Sequence, residues 1–309
     1  GLGDVYKRQA FALSTYSENG FAVKQGIQQT HQLRDLFKEH FGKPERSYLM
    51  GESMGGLITV ALAEKYPKQY DGGLALCGIV GGSQKALSDK LHAHTAIDYY
   101  YPGLLPGDAV SVPQGIGILS FWFGSGPYLV GEIAADPASA LEMAGIDQLE
   151  ICAADYGELL DTCFWRLFFS IVAVPEAMSR AHGPFFDNMD VDYTGSLDDS
   201  SLNAGIGRFS ADPNAVNYYR HHYEPTGRLK IPVMTLHNTC DPAAPMSHEE
   251  RYEQTVEAAG AEEWLVRRHV ERYGHCEFTG DEILDSFMDL VNWVENGVVP
   301  AGGDVTSSP

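Results

Sequence analysis

The sequence predicts an α/β protein in which a mostly parallel sheet, flanked by helices, is split by a long, mainly helical insertion. Three observations carry this. Short apolar runs alternate with helix-period segments at both ends of the chain, as strand and helix do in a parallel sheet. Two of the runs, LALCGIV and IPVMTL, are uninterrupted, as expected of strands buried on both faces. Between the two ends the alternation stops.

Taken in order, Ala10 to Thr15 (AFALST) is a strand candidate that Ser17-Glu18-Asn19-Gly20 breaks. Apolar residues near helical spacing (Val23, Ile27, Leu33, Leu36, Phe37, Phe41) predict a helix from Val23 to Phe41, stopped by Gly42-Lys43-Pro44. Ser47 to Met50 reads as a strand, Met54 to Lys65 as a helix, and Leu74 to Val80 as a strand. Residues 83 to 229 are rich in helix formers, aromatics and Gly/Pro breaks, such as FWFGSGPYL and CFWRLFFS. Ile231 to Leu236 is again a strand, His248 to Ala259 a helix, Trp264 to Val270 a strand, and Asp281 to Glu295 an amphipathic helix. The expected organisation is a core in two parts, 10–82 and 230–299, an inserted helical segment, 83–229, and a disordered tail, 300–309. The opening GLGDVYKRQ (1–9) has no signal-peptide pattern and joins abruptly to AFALSTYSENGF, so it is read as a non-native leader.

Bulk composition narrows the function. The chain has 309 residues, 44% of them hydrophobic, enough for a large core. With 21 Lys and Arg against 42 Asp and Glu, its formal charge of −21 argues against nucleic acid and anionic membranes as partners. No apolar run reaches the length of a membrane span. Five cysteines without CxxC spacing predict neither a disulfide scaffold nor a zinc or redox site. Neither a cytoplasmic nor a secreted setting is favoured, and oligomeric state is not legible.

The chemistry concentrates in three segments. Gly51-Glu52-Ser53-Met54-Gly55 is a G-x-S-x-G string between a predicted strand and a predicted helix. In that setting Ser53 occupies a tight turn, Gly51 and Gly55 remove side chains that would clash, and the Met54 N–H points to where an oxyanion would form. A serine needs a base and an acid to become a nucleophile. Asp241 lies on the Pro-rich loop after IPVMTL, and His275 lies beside Gly274 on the loop after WLVRRHV.

GESMGG, HNTCDPAAP and GHCEF followed by a WVENG helix together resemble the signature segments of the α/β-hydrolase superfamily, serine esterases and lipases with a large helical cap among them. The resemblance covers about residues 10–82 and 230–299. It implies Ser53 as nucleophile, His275 as general base and then acid, Asp241 as the residue that orients the imidazole, and an inserted cap that shapes the pocket. It implies no cofactor or metal, and a small-molecule ester as substrate. An aminopeptidase or oligopeptidase of the same fold, and a non-catalytic binding protein on that fold, are the alternatives. Such a fold is expected to have several strands and an oxyanion loop before the elbow. Here one strand and one helix precede Ser53, so the first strands and the second oxyanion donor are read as absent, with an apolar sheet edge left exposed. The His275-Cys276 pair also resembles tannases and feruloyl esterases, in which a cysteine before the nucleophile bridges to one after the histidine. Position 52 is Glu, so Cys240 and Cys276 are expected either to bridge each other or to be separate buried thiols.

Other candidates read as structural. His237 and His248 flank the acid and are expected to pack or cap locally, and Glu277 and Asp281 are weaker substitutes for Asp241. Asp190 to Gly195 looks faintly like a calcium loop, but Ser201 stands where Glu is needed. His92, His94, His221 and His222 show no ligand pattern. Most of the aromatic clusters are expected to pack the cap, with a subset available to line a pocket.

Overall fold

A computed structural model describes residues 10–306. The leader lies outside the described residues. Five parallel strands form one sheet in sequential order: β1 (Tyr48–Glu52), β2 (Gly72–Leu76), β3 (Val233–Cys240), β4 (Leu265–Tyr273) and β5 (Gly303–Asp304). Helix α1 (Val23–Phe41) precedes the sheet, and α2 (Met54–Lys65) crosses from β1 to β2.

Alternation along the strands builds two cores. Ala75 and Val233 face α1 and α2, where Ile27, Leu57, Val60 and Ala61 are buried. Leu74, Leu76, Met234 and Leu236 face the opposite side, where Leu290 and Trp293 of the last long helix close the core. Helix α2 is buried without a break from Gly56 to Ala63 and is apolar all round, as a helix enclosed by sheet and helix must be.

Residues 83 to 229 contain helices and no strand. Helix α3 (Ser83–Tyr100) is followed by α4 (Gly126–Ala134), α5 (Pro137–Ala144), α6 (Tyr156–Phe168), α7 (Val174–Ala181), α8 (Asp199–Gly205) and α9 (Pro213–His221). Two π-helical turns, Phe121–Ser125 and Phe169–Ala173, run into α4 and α7. Ile97, Phe121, Leu129, Ile133, Leu159, Leu167 and Tyr193 form a core of this segment's own. Helix α10 (Ser247–Ala258) then joins β3 to β4, and α11 (Gly280–Asn296) opens with a capping box between Thr279 and Glu282.

Several boundaries differ from the sequence reading. Ala10 to Thr15 has no strand, because no described strand lies beyond β1 to pair with it. β2 starts earlier and stops at Leu76, because Cys77 turns the chain at φ 44°. β3 runs on to Cys240. Gly303–Asp304, expected in a disordered tail, pairs with Arg268 and His269 as an edge strand. β1 forms the other edge of the described sheet, and its Met50 is 45% exposed.

Candidate active site

The turn from β1 into α2 holds Ser53 at φ 54° and ψ −116°, a conformation that a non-glycine residue adopts only under constraint. The constraint is visible. Ser53 N–H donates to Leu76 O at 2.9 Å, and Ser53 O accepts from Ile79 N–H at 3.3 Å, so the turn is pinned to the end of β2. An added Cβ on Gly51 would lie 2.3 Å from Gly55 O, and one on Gly56 would lie 2.6 Å from Gly78 Cα. At Gly55 nothing lies within 4 Å. The steric demand therefore falls on Gly51 and Gly56, not on Gly55: α2 packs its second glycine against the turn after β2. Met54 opens α2, so its N–H has no acceptor within the helix and sits at the positive end of the helix dipole.

Asp241 and His275 meet. Asp241 Oδ2 lies 2.7 Å from His275 Nδ1, while its Oδ1 accepts from the N–H groups of Ala243 and Ala244, both at 2.8 Å. The DPAAP turn thus locks the carboxylate rotamer. Glu277 and Asp281 do not take this position; the Glu277 backbone is held by Asn238 instead. Burial pushes the Asp241 carboxyl up, but the His275 bond, the His275 and His237 charges and the Ala244 N–H together hold it below the ordinary carboxylate range. Among the described residues Ser53 Oγ makes no hydrogen bond. Such contacts are often long before substrate binds.

A covalent link joins the two halves. Cys77, next to the Leu76 carbonyl that holds Ser53, is disulfide-bonded to Cys276, next to His275, with Cα atoms 5.2 Å apart. A second disulfide joins Cys240 at the end of β3 to Cys152 in the helical segment. Both alternatives from the sequence are overturned. Cys240 and Cys276 neither bridge each other nor stand as free thiols, because each faces a cysteine on a different neighbouring element. The donor atoms of Cys77, His275 and Cys276 lie within 4.8 Å of one another, but the two sulfurs are bonded together, which removes the thiolates a metal needs.

The helical segment supplies an aromatic surface beside His275. The Trp165 ring centroid is 6.0 Å from the imidazole, and Trp165, Trp122, Phe164, Phe168 and Phe169 contact one another in a partly exposed cluster. Both π-helical turns contribute to it, through Trp122 and Phe169. Lys90 of α3 is buried, and its Nζ donates to Ala243 O at 2.5 Å, which ties the acid loop to the helical segment. Nothing in the helical spacing of α3 marks that lysine. Cys77 carried no signal either, because it lies inside LALCGIV, an apolar run that reads as strand to its end.

His92 and His94 take structural partners: His92 bonds Tyr193 Oη at 2.8 Å, and His94 sits 3.2 Å from both Ser170 Oγ and Gly107 O. Two cavities, of about 430 and 340 Å³, are lined by none of Ser53, Asp241 and His275. Among the described residues no helix is long and apolar enough to cross a membrane.

No protein-family model and no curated protein sequence matches the chain. Its fold is similar to that of solved hydrolases at low identity. Candida antarctica lipase A is 15% identical, with 94% of this chain and 59% of that chain covered at a TM-score of 0.45. Feruloyl esterase B from Aspergillus oryzae is 13% identical over 90% of this chain and 64% of that chain, with a TM-score of 0.40. The acylaminoacyl peptidase of Pyrococcus horikoshii is 13% identical over 85% of this chain and 25% of that chain, with a TM-score of 0.35. The chain therefore spans from a quarter to just under two thirds of the length of these structures.

Proposed function

We propose that the protein is a serine hydrolase of the α/β-hydrolase type that cleaves a carboxylic ester. The observation that carries the reading is the 2.7 Å contact of Asp241 with His275 Nδ1, disulfide-linked through Cys276 and Cys77 to the turn that constrains Ser53. With its Nδ1 proton directed at Asp241, the ring offers Nε2 as a free base. Ser53 Oγ attacks the ester carbonyl carbon as Nε2 takes its proton, and the carbonyl oxygen becomes an oxyanion that accepts from the Met54 N–H. The intermediate collapses as His275 returns the proton to the leaving alcohol. Water, deprotonated by the same nitrogen, then releases the acid from the acyl-enzyme.

The helical segment acts as the cap in this reading. Its half-exposed aromatic surface around Trp165 and Trp122 suits an apolar or aromatic part of the substrate. A fluorophosphonate probe tests the reading: it labels the wild-type protein and spares Ser53→Ala. Absence of Ser53-dependent label refutes it. Turnover of aminoacyl anilides but not of p-nitrophenyl esters would keep the nucleophile and replace the esterase with a peptidase.

A further inference from the structure

Two histidines flank the acid loop, both fully buried, and their partners demand opposite protonation states. His248 Nδ1 faces a donor, the Gly81 N–H at 3.2 Å, and its Nε2 lies 3.3 Å from Asp89 Oδ2. One nitrogen must accept and the other donate, so His248 is a neutral ring. Burial favours the same state and drives its pKa down to about 4. His237 faces acceptors on both sides. Its Nε2 lies 2.7 Å from Ala244 O, and its Nδ1 is 3.3 Å from Glu249 Oε1. A carbonyl and a carboxylate have no proton to give, so a neutral imidazole would set a nitrogen lone pair against an oxygen lone pair inside the core.

The charged ring fits the surroundings. Glu249 is itself fully buried; its Oε2 accepts from Thr235 Oγ1 at 2.5 Å and lies 3.7 Å from Arg267 Nε on β4. On the other side, His237 Nε2 is 3.8 Å from Asp241 Oδ2, the oxygen that bonds His275. Further charged or titratable groups on this side are Lys90, which reaches the loop through Ala243 O, the buried Arg166, whose charge acts on Asp241, and His269, the register partner of His237 on β4. A bare imidazolium at this depth would be costly. Here it stands between two carboxylates and donates to a carbonyl.

We propose that His237 is an imidazolium in the resting site, a positioning residue whose charge, set 3.3 Å from the buried Glu249 carboxylate, holds Asp241 ionised and in place behind the neutral His275. The acid is then gripped from three directions: two backbone N–H groups on Oδ1, and His275 and the His237 charge on Oδ2. The Ala244 carbonyl that His237 holds belongs to the residue whose N–H binds Asp241, so the same ring also fixes the turn. Burial works against protonation of this ring, and the Glu249 carboxylate 3.3 Å away, the Asp241 charge and the Ala244 carbonyl outweigh it.

The role given to Asp241 rests on the hydrolase reading, but the charge on His237 does not, and two measurements separate them. In protein labelled with ¹⁵N-histidine, one ring is expected to keep two protonated nitrogens at pH 7, where a free imidazole has lost one, and its signals vanish in His237→Gln. A His237 ring that is a neutral tautomer at pH 7 overturns the proposal. The second measurement is the pH profile of fluorophosphonate labelling. Gln keeps a donor for Ala244 O and removes the charge, so Asp241 and its partner bind protons more tightly. The acid limb of the profile is then expected to move to higher pH, with a labelling rate at least tenfold lower at pH 6. A profile of unchanged shape in a folded His237→Gln variant overturns the positioning role. A wild-type protein that is never labelled refutes the hydrolase reading, and the nitrogen spectrum still decides the charge.

Discussion

The glycines of the elbow make a prediction whose sign changes between neighbours. Gly55 and Gly56 both lie in the first turn of α2, so replacing either with alanine returns a similar helix-propensity gain, about 0.5–1 kcal/mol at most. The surroundings differ. A Cβ at Gly55 meets nothing within 4 Å, whereas one at Gly56 meets Gly78 Cα at 2.6 Å. Carbon atoms rest at about 3.5–4.0 Å, so α2 and the turn after β2 must part by about 1 Å. Neither partner is a side chain that can rotate away. Overpacking of this kind costs about 1–3 kcal/mol, and the propensity term cancels in the comparison, so Gly56→Ala should be less stable than Gly55→Ala by about 1–3 kcal/mol. At about 2 °C per kcal/mol for a chain of this size, the melting temperatures separate by about 2–6 °C. Urea titration followed by circular dichroism measures the difference directly. Gly56→Ala should also lose labelling at Ser53, because the displaced turn carries the Ile79 N–H that Ser53 O accepts. Equal stability of the two variants, or a less stable Gly55→Ala, would refute the packing argument.

The same geometry sets four other outcomes. Asp241→Asn keeps an oxygen for the two alanine N–H groups but disfavours the His275 tautomer with its proton on Nδ1, so kcat should fall by up to about 10⁴-fold with the fold intact, checked by ester hydrolysis and thermal melting. Cys276→Ser opens a link across 199 residues and should cost about 2–4 kcal/mol in urea, with activity falling alongside; a variant as stable as wild type would count against that disulfide as a constraint. Burial brings the Lys90 ammonium down to about 7 from 10.5, so between those values the unfolded chain binds more protons than the folded one. Stability therefore rises with pH across that window, and Lys90→Met should flatten the slope measured by urea titration at pH 7 to 10. Trp165→Ala should raise KM for aromatic esters several-fold while leaving acetate esters little changed, as steady-state kinetics would show.

What the sequence made legible is what local pattern encodes. The limits of α1 and α2 follow from apolar spacing and from stops at Gly42 and Tyr66, and the elbow is a string whose strand and helix neighbours can be read directly. Asp241 and His275 were readable as residues just past apolar runs, because such residues lie at the carboxyl ends of the strands. The disulfides were not. Their pairing depends on which strand ends adjoin, and the sheet order sets Cys77 beside the His275 loop while the helical segment brings Cys152 to Cys240. β2 was read too long because LALCGIV reads as one apolar run, whereas the chain turns at Cys77, φ 44°, just before Gly78. His237 shows the limit most clearly. Its spacing from Asp241 predicts a packing residue, and only the partners on each ring nitrogen, a carbonyl from its own loop and a carboxylate one helix away, convert that packing residue into a charge. Protonation at a buried site is decided by neighbours distant in sequence, so it is the last property a pattern can yield and the first that the folded geometry constrains.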